Sequence, residues 1–230
     1  APVGAPATWV LCNHDVTRMV TRYGRTDTGF DFATKAFGIP TDLELGTRRA
    51  RAAALLTLAL PGSVYLYQGE ELGLPEVEDI PADKLQDPMY LRSGGTDPGR
   101  DGCRVPLPWS GRVSPFGFSP AGSAEPWLPQ PADWADRTAE VQSADPASML
   151  SLYRAALRLR KGEAGLGDGP ISWLDSEPGV LAFRRTDRFI CVVNLSDAPA
   201  ELPAHSEVLL ASEGLVGGRL ARDTAVWLRG

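Results

Sequence analysis

Apolar residues occur in short runs near the start of the chain, and two of these runs end abruptly in polar residues. Residues 7–12 (ATWVLC) are followed at once by Asn13-His14-Asp15, and residues 63–67 (SVYLY) are followed by a Gln-Gly-Glu-Glu sequence. A buried strand that ends in polar side chains delivers those side chains to the carboxyl edge of a parallel sheet. The pattern therefore predicts two strands of such a sheet, with a candidate site at Asn13-His14-Asp15.

The segment between these strands predicts a loop and then a helix. Residues 16–40 are polar and only weakly periodic, which indicates a long loop. Residues 43–59 (LELGTRRARAAALLTLA) are rich in Ala, Leu and Arg, which are strong helix formers, and Pro61-Gly62 ends the helix. The order strand, loop, helix, strand is typical of α/β architecture.

The remainder of the chain changes character twice. Residues 74–146 are dominated by Pro, Gly, Asp and Trp, which favours a long active-site loop rather than regular elements. Asp145-Pro146 carries the signal of a helix start, and we expect that helix to reach about Lys161. Beyond it, short alternating runs predict five strands of a small antiparallel, sandwich-like β-domain, with a hairpin turn at Thr186-Asp187; the runs are 171–174, 180–185, 189–195, 207–211 and 225–228. The predicted domains are residues 1–165 and 166–230.

Composition narrows the function classes. The 230 residues are 43% hydrophobic and 23% charged, with a net charge of −6, which argues against a general nucleic-acid or anionic-membrane surface. The three cysteines lack metal-binding spacing and are expected to be reduced, buried thiols. We expect no cofactor and no metal site. No leader or membrane-spanning segment is apparent, so the cytoplasm is the expected location.

The first strand end has chemistry suited to a sugar. A carboxylate (Asp15) beside an imidazole (His14) can stabilise the positive charge that develops on the anomeric carbon during glycoside cleavage. The same residues could instead cap the following loop and form a local hydrogen bond. Spacing alone leaves both interpretations open.

Three motifs resemble the α-amylase superfamily, glycoside hydrolase family 13. They are ATWVLCNHDVTRMVTRYG at residues 7–24, LPGSVYLYQGEELG at 60–73 and GRDGCRVPLPW at 99–109. The third motif is similar to that of the α-glucosidase and oligo-1,6-glucosidase branch. The resemblance implies the last part of a (β/α)8 TIM barrel followed by a small antiparallel C-terminal β-domain.

The resemblance also implies site residues. Asp15 matches the aspartate that stabilises the transition state, and His14 matches the histidine that donates a hydrogen bond to the same sugar. Arg100 matches the arginine that closes the pocket at the non-reducing end of the glucose. Arg104 is expected to brace its loop, with a substrate role as the alternative. Arg18 is expected to form a structural salt bridge rather than a chloride site.

Other polar and aromatic residues are given less specific roles. Glu70 and Glu71 are expected to bond backbone amides and the adjacent arginine loop rather than act as an acid and nucleophile pair. Five aspartates are expected to be solvated loop acids: Asp27, Asp31, Asp79, Asp83 and Asp87. Three tryptophans are expected to stack on sugar or to pack in the core: Trp109, Trp127 and Trp134.

The family's nucleophile and general acid precede the segment that residues 7–24 resemble. We therefore expect an α-glucosidase whose partner is an oligosaccharide of the maltose or isomaltose type, with the two carboxyl groups supplied by an N-terminal half of the barrel outside this chain. The chain alone should unfold with poor cooperativity and should not hydrolyse p-nitrophenyl α-glucoside. The alternatives are a transglycosylating relative that remodels trehalose or sucrose, and a non-catalytic carbohydrate-binding or assembly module.

Overall fold

The computed structural model describes residues 6–30, 35–120, 122–167 and 169–230. Its strands are β1 (Thr8–Val10), β2 (Ser63–Tyr65), β3 (Ser172–Trp173), β4 (Val180–Thr186), β5 (Phe189–Asn194), β6 (Glu207–Ala211) and β7 (Thr224–Arg229). Its α-helices are α1 (Met19–Tyr23), α2 (Leu43–Ala59), α3 (Pro88–Arg92), α4 (Ala139–Ala144) and α5 (Met149–Gly162). Short 3-10 turns cover Ala82–Lys84, Asp101–Cys103, Ala132–Asp136 and Ala164–Leu166.

The chain divides into two compact units. The first unit contains the described residues up to Leu11 together with Arg48–Tyr65 and Leu152–Gly230. The second unit contains Cys12–Thr47 and Leu66–Ser151. The predicted boundary near residue 165, and the function of residues 74–146 as an active-site loop, remain predictions.

Two parallel strands open the first unit, as the sequence predicts. β1 pairs with β2 in the register Thr8 with Ser63 and Val10 with Tyr65. The Trp9 indole donates to the carbonyl of Pro61 at 2.8 Å, which secures the chain just before β2. Gly62 follows with a φ of +103°, a conformation that L side chains rarely adopt.

This unit also contains a five-stranded antiparallel sheet, in the order β3-β4-β5-β7-β6. This confirms the five predicted strands, although the β4–β5 turn lies at Asp187-Arg188 instead of Thr186-Asp187 because Thr186 still pairs with Phe189. β5 is buried along its whole length, as expected of a central strand covered on both faces. One face packs a core of aliphatic side chains: Val180, Ala182, Ile190, Val192, Ala200, Leu220, Val226 and Leu228.

The opposite face of the sheet carries aromatic rings. Trp227 is fully buried, and its ring meets Phe189 edge to face at 5.4 Å. Its indole donates to the carbonyl of Leu55 in α2 at 3.0 Å. The hydrogen bond gives the buried indole the partner that a polar group away from water requires.

The second unit has a core of its own, although its sequence predicts an irregular loop. Trp134 and Phe116 are fully buried in it and pack with aliphatic side chains: Leu72, Leu74, Val77, Val105, Leu107, Leu128 and Leu150. Residues 74–146, which were predicted to form a loop, also contain α3 and α4. α1 likewise lies inside the predicted loop 16–40, where Met19 and Val20 are buried.

The last helix begins later than predicted. Asp145 ends α4 and accepts the backbone N–H of Ala147 at 2.8 Å, so the expected helix start at Asp145-Pro146 is wrong. Ser148 is the actual cap, because its hydroxyl accepts the N–H of Ser151 at 3.1 Å, in the first turn of α5. Among the described residues, no helix is both long enough and apolar enough to cross a bilayer.

Candidate active site

The triplet that follows β1 in the chain presents a carboxylate and an imidazole to solvent. Asn13 Oδ1 accepts the backbone N–H of Asp15 at 2.8 Å, which forms an Asx turn. His14 Nε2 lies 3.4 Å from Asp15 Oδ2, and these side chains are 67% and 39% exposed. The turn therefore leaves both groups accessible to a ligand.

Arg100 joins this triplet from 85 residues further along the chain. Its Nη1 donates to Asp15 Oδ1 at 2.8 Å. Its Nε and Nη2 donate to the two oxygens of Asp87, at 2.6 and 3.2 Å. A guanidinium held by two parallel hydrogen bonds to one carboxylate is a strong and directional arrangement.

Asp87 is a correction to the sequence analysis, which expected a solvated loop acid. Its side chain is fully buried, and the hydrogen bond from Arg100 lowers the pKa of its carboxyl from 3.8 to about 2. Asp101 holds the backbone beneath it, since Asp101 Oδ2 accepts the N–H groups of Gln86 and Asp87 at 2.5 and 2.8 Å. Of the other predicted loop acids, Asp31 lies outside the described residues, and three are exposed as expected: Asp27, Asp79 and Asp83.

Arg104 contacts the same group of acids. Its Nε donates to the backbone carbonyl of His14 at 3.0 Å, and its Nη2 lies 3.4 Å from Asp15 Oδ1. Its Nη1 lies 3.7 Å from Asp87 Oδ2. Two arginines and two aspartates therefore form a charge-balanced cluster, in which Arg104 also braces the backbone of the triplet.

Glu70 and Glu71 bond backbone amides, as the sequence analysis expects. Glu70 Oε2 accepts the N–H of Tyr67 at 3.4 Å, and Glu71 Oε2 accepts the N–H of Gly69 at 2.8 Å. Glu70 is buried at 3% exposure. Their contacts stabilise the turn that contains them.

Arg18 is structural, but its partners differ from the predicted salt bridge. The side chain is buried, and the guanidinium donates to the carbonyls of Gln68 and Cys103 at 3.0 and 2.7 Å. It also lies 5.2 Å from the centre of the Tyr67 ring. Backbone carbonyls bind the Nη1 and Nη2 groups of this arginine where a carboxylate was expected, while its buried Nε has no hydrogen-bond partner among the described residues.

A cleft of about 550 Å³ adjoins the charge cluster, with which it shares Asp87 and Arg104. Trp127 lines it and is 80% exposed, whereas Trp134 is completely buried in the core and Trp109 is half-exposed. The cleft lining is otherwise mixed: Gln86, Pro88, Asp101, Pro106, Phe118, Ser119, Ala124, Glu125, Pro126 and Leu128. Of the predicted stacking residues, Trp127 and Trp109 are therefore accessible to a ligand, and Trp127 is the one that lines this cleft.

Within residues 6–30, 35–120, 122–167 and 169–230, no group of three or more His, Cys, Asp or Glu side chains is arranged to hold a metal ion. The expectation that the chain needs no cofactor remains a prediction.

Comparison with known families shows the family of the chain. Residues 2–169 match the family described as "Alpha amylase, catalytic domain", which is most of the chain. The chain belongs to the α-amylase family. Residues 167–227 match a domain of unknown function, DUF3459, over the antiparallel sheet. The predicted fold class, the last part of a (β/α)8 barrel followed by an antiparallel β-domain, is confirmed.

Similar members of the α-amylase family are glucosidases. A probable α-glucosidase of Rhizobium meliloti strain 1021 is 36% identical over 215 residues, which cover 91% of this chain and 35% of that protein. An oligo-1,6-glucosidase of Halalkalibacterium halodurans is 25% identical over 224 residues, covering 89% of this chain and 36% of that protein. The chain thus spans about a third of the length of these relatives.

Solved structures of the α-amylase family agree with the fold. The crystal structure of an α-glucosyl transfer enzyme superposes with a TM-score of 0.73 and 36% identity, covering 98% of this chain and 40% of that one. An isomaltulose synthase from Klebsiella sp. LX3 superposes with a TM-score of 0.71 and 23% identity, covering 96% and 42%. The second match supports the fold alone.

Sequence reasoning missed Asp87, which belongs to the cluster, and Asp101, which accepts the backbone N–H groups of Gln86 and Asp87. A usable signal was present, because Asp87 is followed by Pro88 and caps α3 by accepting the N–H of Met89 at 3.1 Å. That signal predicts an ordered aspartate rather than a solvated one. It does not predict that Arg100 is the partner.

Proposed function

We propose that the chain is part of a retaining α-glucosidase that removes terminal α-linked glucose from oligosaccharides of the maltose or isomaltose type. In this proposal Asp15 stabilises the transition state, His14 donates a hydrogen bond to the sugar, and Arg100 closes the pocket at the non-reducing end. The observation that carries the proposal is the Arg100–Asp15 contact of 2.8 Å at a carboxylate that is still 39% exposed.

The geometry suits the charge that develops in the reaction. Cleavage of the glycosidic bond gives the sugar ring an oxocarbenium character, and a fixed negative charge beside it lowers the barrier. Arg100 and Arg104 both contact Asp15 Oδ1, whereas the ionisable side chain near Oδ2, among those that the structure describes, is the solvent-exposed imidazole of His14. Oδ2 is therefore the oxygen that we assign to the sugar hydroxyls.

A retaining glycosidase needs two more carboxyl groups, a nucleophile and a general acid about 5 Å apart. We predict that both come from an N-terminal half of the barrel outside residues 1–230. The oligosaccharide and that half of the barrel are then the partners of this chain, and neither nucleic acid nor a membrane surface is expected among them.

The names of the relatives support the substrate class. The curated relatives include the probable α-glucosidase at 36% identity and two oligo-1,6-glucosidases. The solved α-glucosyl transfer enzyme, also at 36% identity, favours transglycosylation as the second candidate function. The two functions share the first chemical step and differ in whether water or a sugar accepts the glucosyl group.

The test uses the full polypeptide that contains this chain. It should release p-nitrophenol from p-nitrophenyl α-glucoside, and Asp15→Asn should lower kcat by at least about 100-fold, as loss of a charge-stabilising group does. Asp83→Asn removes the same charge from an exposed position and should leave turnover unchanged. Equal activity of the wild type and Asp15→Asn would refute the proposed role of Asp15.

Product analysis separates the alternatives. Free glucose as the dominant product from maltose or isomaltose supports hydrolysis, whereas longer or rearranged saccharides support glucosyl transfer. Saccharide binding without turnover by the full polypeptide would favour the non-catalytic module. Appreciable turnover by the isolated 230-residue chain would show that the nucleophile and acid lie within it, against our assignment.

A further inference from the structure

Asp87 has no free hydrogen-bonding capacity to offer a substrate. Its Oδ1 accepts from Met89 N–H at 3.1 Å and from Arg100 Nη2 at 3.2 Å. Its Oδ2 accepts from the Nε and the backbone N–H of Arg100, at 2.6 and 3.0 Å. The side chain is also fully buried, so a ligand cannot reach it directly.

These contacts fix the plane of the Arg100 guanidinium. Nε and Nη2 form the side of the fork that engages Asp87, which leaves Nη1 as the edge that faces Asp15 at 2.8 Å. A planar guanidinium held at two atoms has little freedom to rotate. A lysine could replace the charge of Arg100 but could not reproduce this two-point attachment.

The backbone around Asp87 is built to hold the carboxylate in place. Asp101 Oδ2 accepts the N–H groups of Gln86 and Asp87, which fixes the backbone at these two residues. Gly99 has a φ of +75°, and a Cβ there would lie 2.9 Å from the Cβ of Asp87. The absence of a side chain at Gly99 is what allows the loop that carries Arg100 to pass so close.

We propose that Asp87 is a positioning residue, which orients the Arg100 guanidinium toward Asp15 and so sets the geometry of the sugar-binding pocket. This inference rests on the proposed function, because it requires Arg100 and Asp15 to contact the glucose. Asp87 itself touches neither the substrate nor the reacting atoms.

A double-mutant cycle in the full polypeptide tests the proposal, with kcat/KM for p-nitrophenyl α-glucoside as the readout. Asp87→Asn keeps the shape and can still cap α3, but its amide group cannot accept from both arms of the fork. We expect kcat/KM to fall about 10- to 100-fold, as for a small displacement of a binding group. In the Arg100→Ala background the same substitution should have no further effect, because Asp87 acts only through Arg100.

A purely structural role for Asp87 gives a different result. If Asp87→Asn lowers kcat/KM equally with and without Arg100, or leaves it unchanged while Arg100→Ala lowers it, the positioning role is overturned and the proposed function stands. If both Arg100→Ala and Asp15→Asn have no effect, the proposed function itself fails. The exposed Asp83→Asn is the charge-matched control and should retain wild-type kinetics.

Arg100→Lys provides a second variant that leaves Asp87 in place. We expect its kcat/KM to fall nearly as much as that of Arg100→Ala, since the single Nζ of lysine cannot form the two-point attachment that Nε and Nη2 of arginine make. Near-normal kcat/KM for Arg100→Lys would overturn the proposal even if Asp87→Asn does not fold.

Discussion

Glu76 should make the stability of the chain depend on pH near neutrality. Its Oε2 accepts the backbone N–H of Arg18 at 2.8 Å, and its own N–H donates to Thr21 Oγ1 at 2.8 Å. Burial, with a smaller contribution from the charge of Glu78, raises the pKa of the Glu76 carboxyl from 4.5 to about 7. The hydrogen bond from Arg18 opposes this rise without cancelling it.

The sign follows from proton binding. Between pH 4.5 and 7 the folded chain keeps the proton on Glu76, whereas the unfolded chain has lost it. Raising the pH through this window therefore favours the unfolded state. One pKa unit corresponds to about 1.4 kcal/mol. The full rise of the Glu76 pKa from 4.5 to about 7 lowers the free energy of unfolding by at most about 3 kcal/mol at pH 8.

Glu76→Gln removes this titration while keeping an oxygen that can accept the Arg18 N–H. As the pH rises from 4.5 to 8, the free energy of unfolding of the variant should increase relative to that of the wild type by up to about 3 kcal/mol. Urea midpoints across this pH range measure the change, and the carboxyl carbon shift of Glu76 reports its titration directly by NMR. Asp79→Asn, at an exposed site, keeps Glu76 and is the control, so its free energy of unfolding should change with pH in parallel with that of the wild type.

The reasoning about Glu76 would be refuted by a carboxyl carbon titration with its midpoint near 4.5. It would also fail if the wild type and Glu76→Gln changed in parallel with pH. The NMR measurement holds even if unfolding is poorly cooperative, because it reports on the folded chain alone.

Two further substitutions test the packing of the first unit. Gly62→Ala places a Cβ 2.1 Å from a backbone carbonyl oxygen at a φ of +103°, so it should destabilise the chain by about 1–3 kcal/mol. Its control is Gly162→Ala, where the added Cβ meets open space and should not lower the urea midpoint. Trp227→Phe removes the buried hydrogen bond to the Leu55 carbonyl and should lower the free energy of unfolding by about 1–3 kcal/mol. Its control is Trp127→Phe, which lies at a position 80% exposed and should change that free energy by less than about 0.5 kcal/mol. Unchanged urea midpoints for Gly62→Ala and Trp227→Phe would contradict these assignments.

Long or strongly patterned elements were predictable from sequence. α2 has the predicted bounds 43–59, because seventeen residues rich in helix formers have a clear preference of their own. The five C-terminal strands were predictable from alternating apolar residues bounded by turn residues.

Short helices were not predictable, for a physical reason. α1 and α3 have five residues each, too few for an isolated helix to form in water. α1 is stabilised by tertiary burial, for example of Met19, whereas α3 has no buried residue and begins at the Asp87 cap. The wrong helix start at Asp145-Pro146 has another reason. An aspartate followed by proline also suits the end of a helix, and Asp145 ends the preceding helix α4.

The sequence by itself determined the family motifs, the order of the major elements and the exposed triplet that contains Asp15. Only the tertiary structure decided which groups surround that triplet. Asp15 and Arg100 are 85 residues apart in the chain, and the acid that holds Arg100 is Asp87, whose Asp-Pro sequence indicates a helix cap but does not indicate the arginine that it binds. Charge pairing depends on distance and burial after folding, and a linear pattern of residues contains neither.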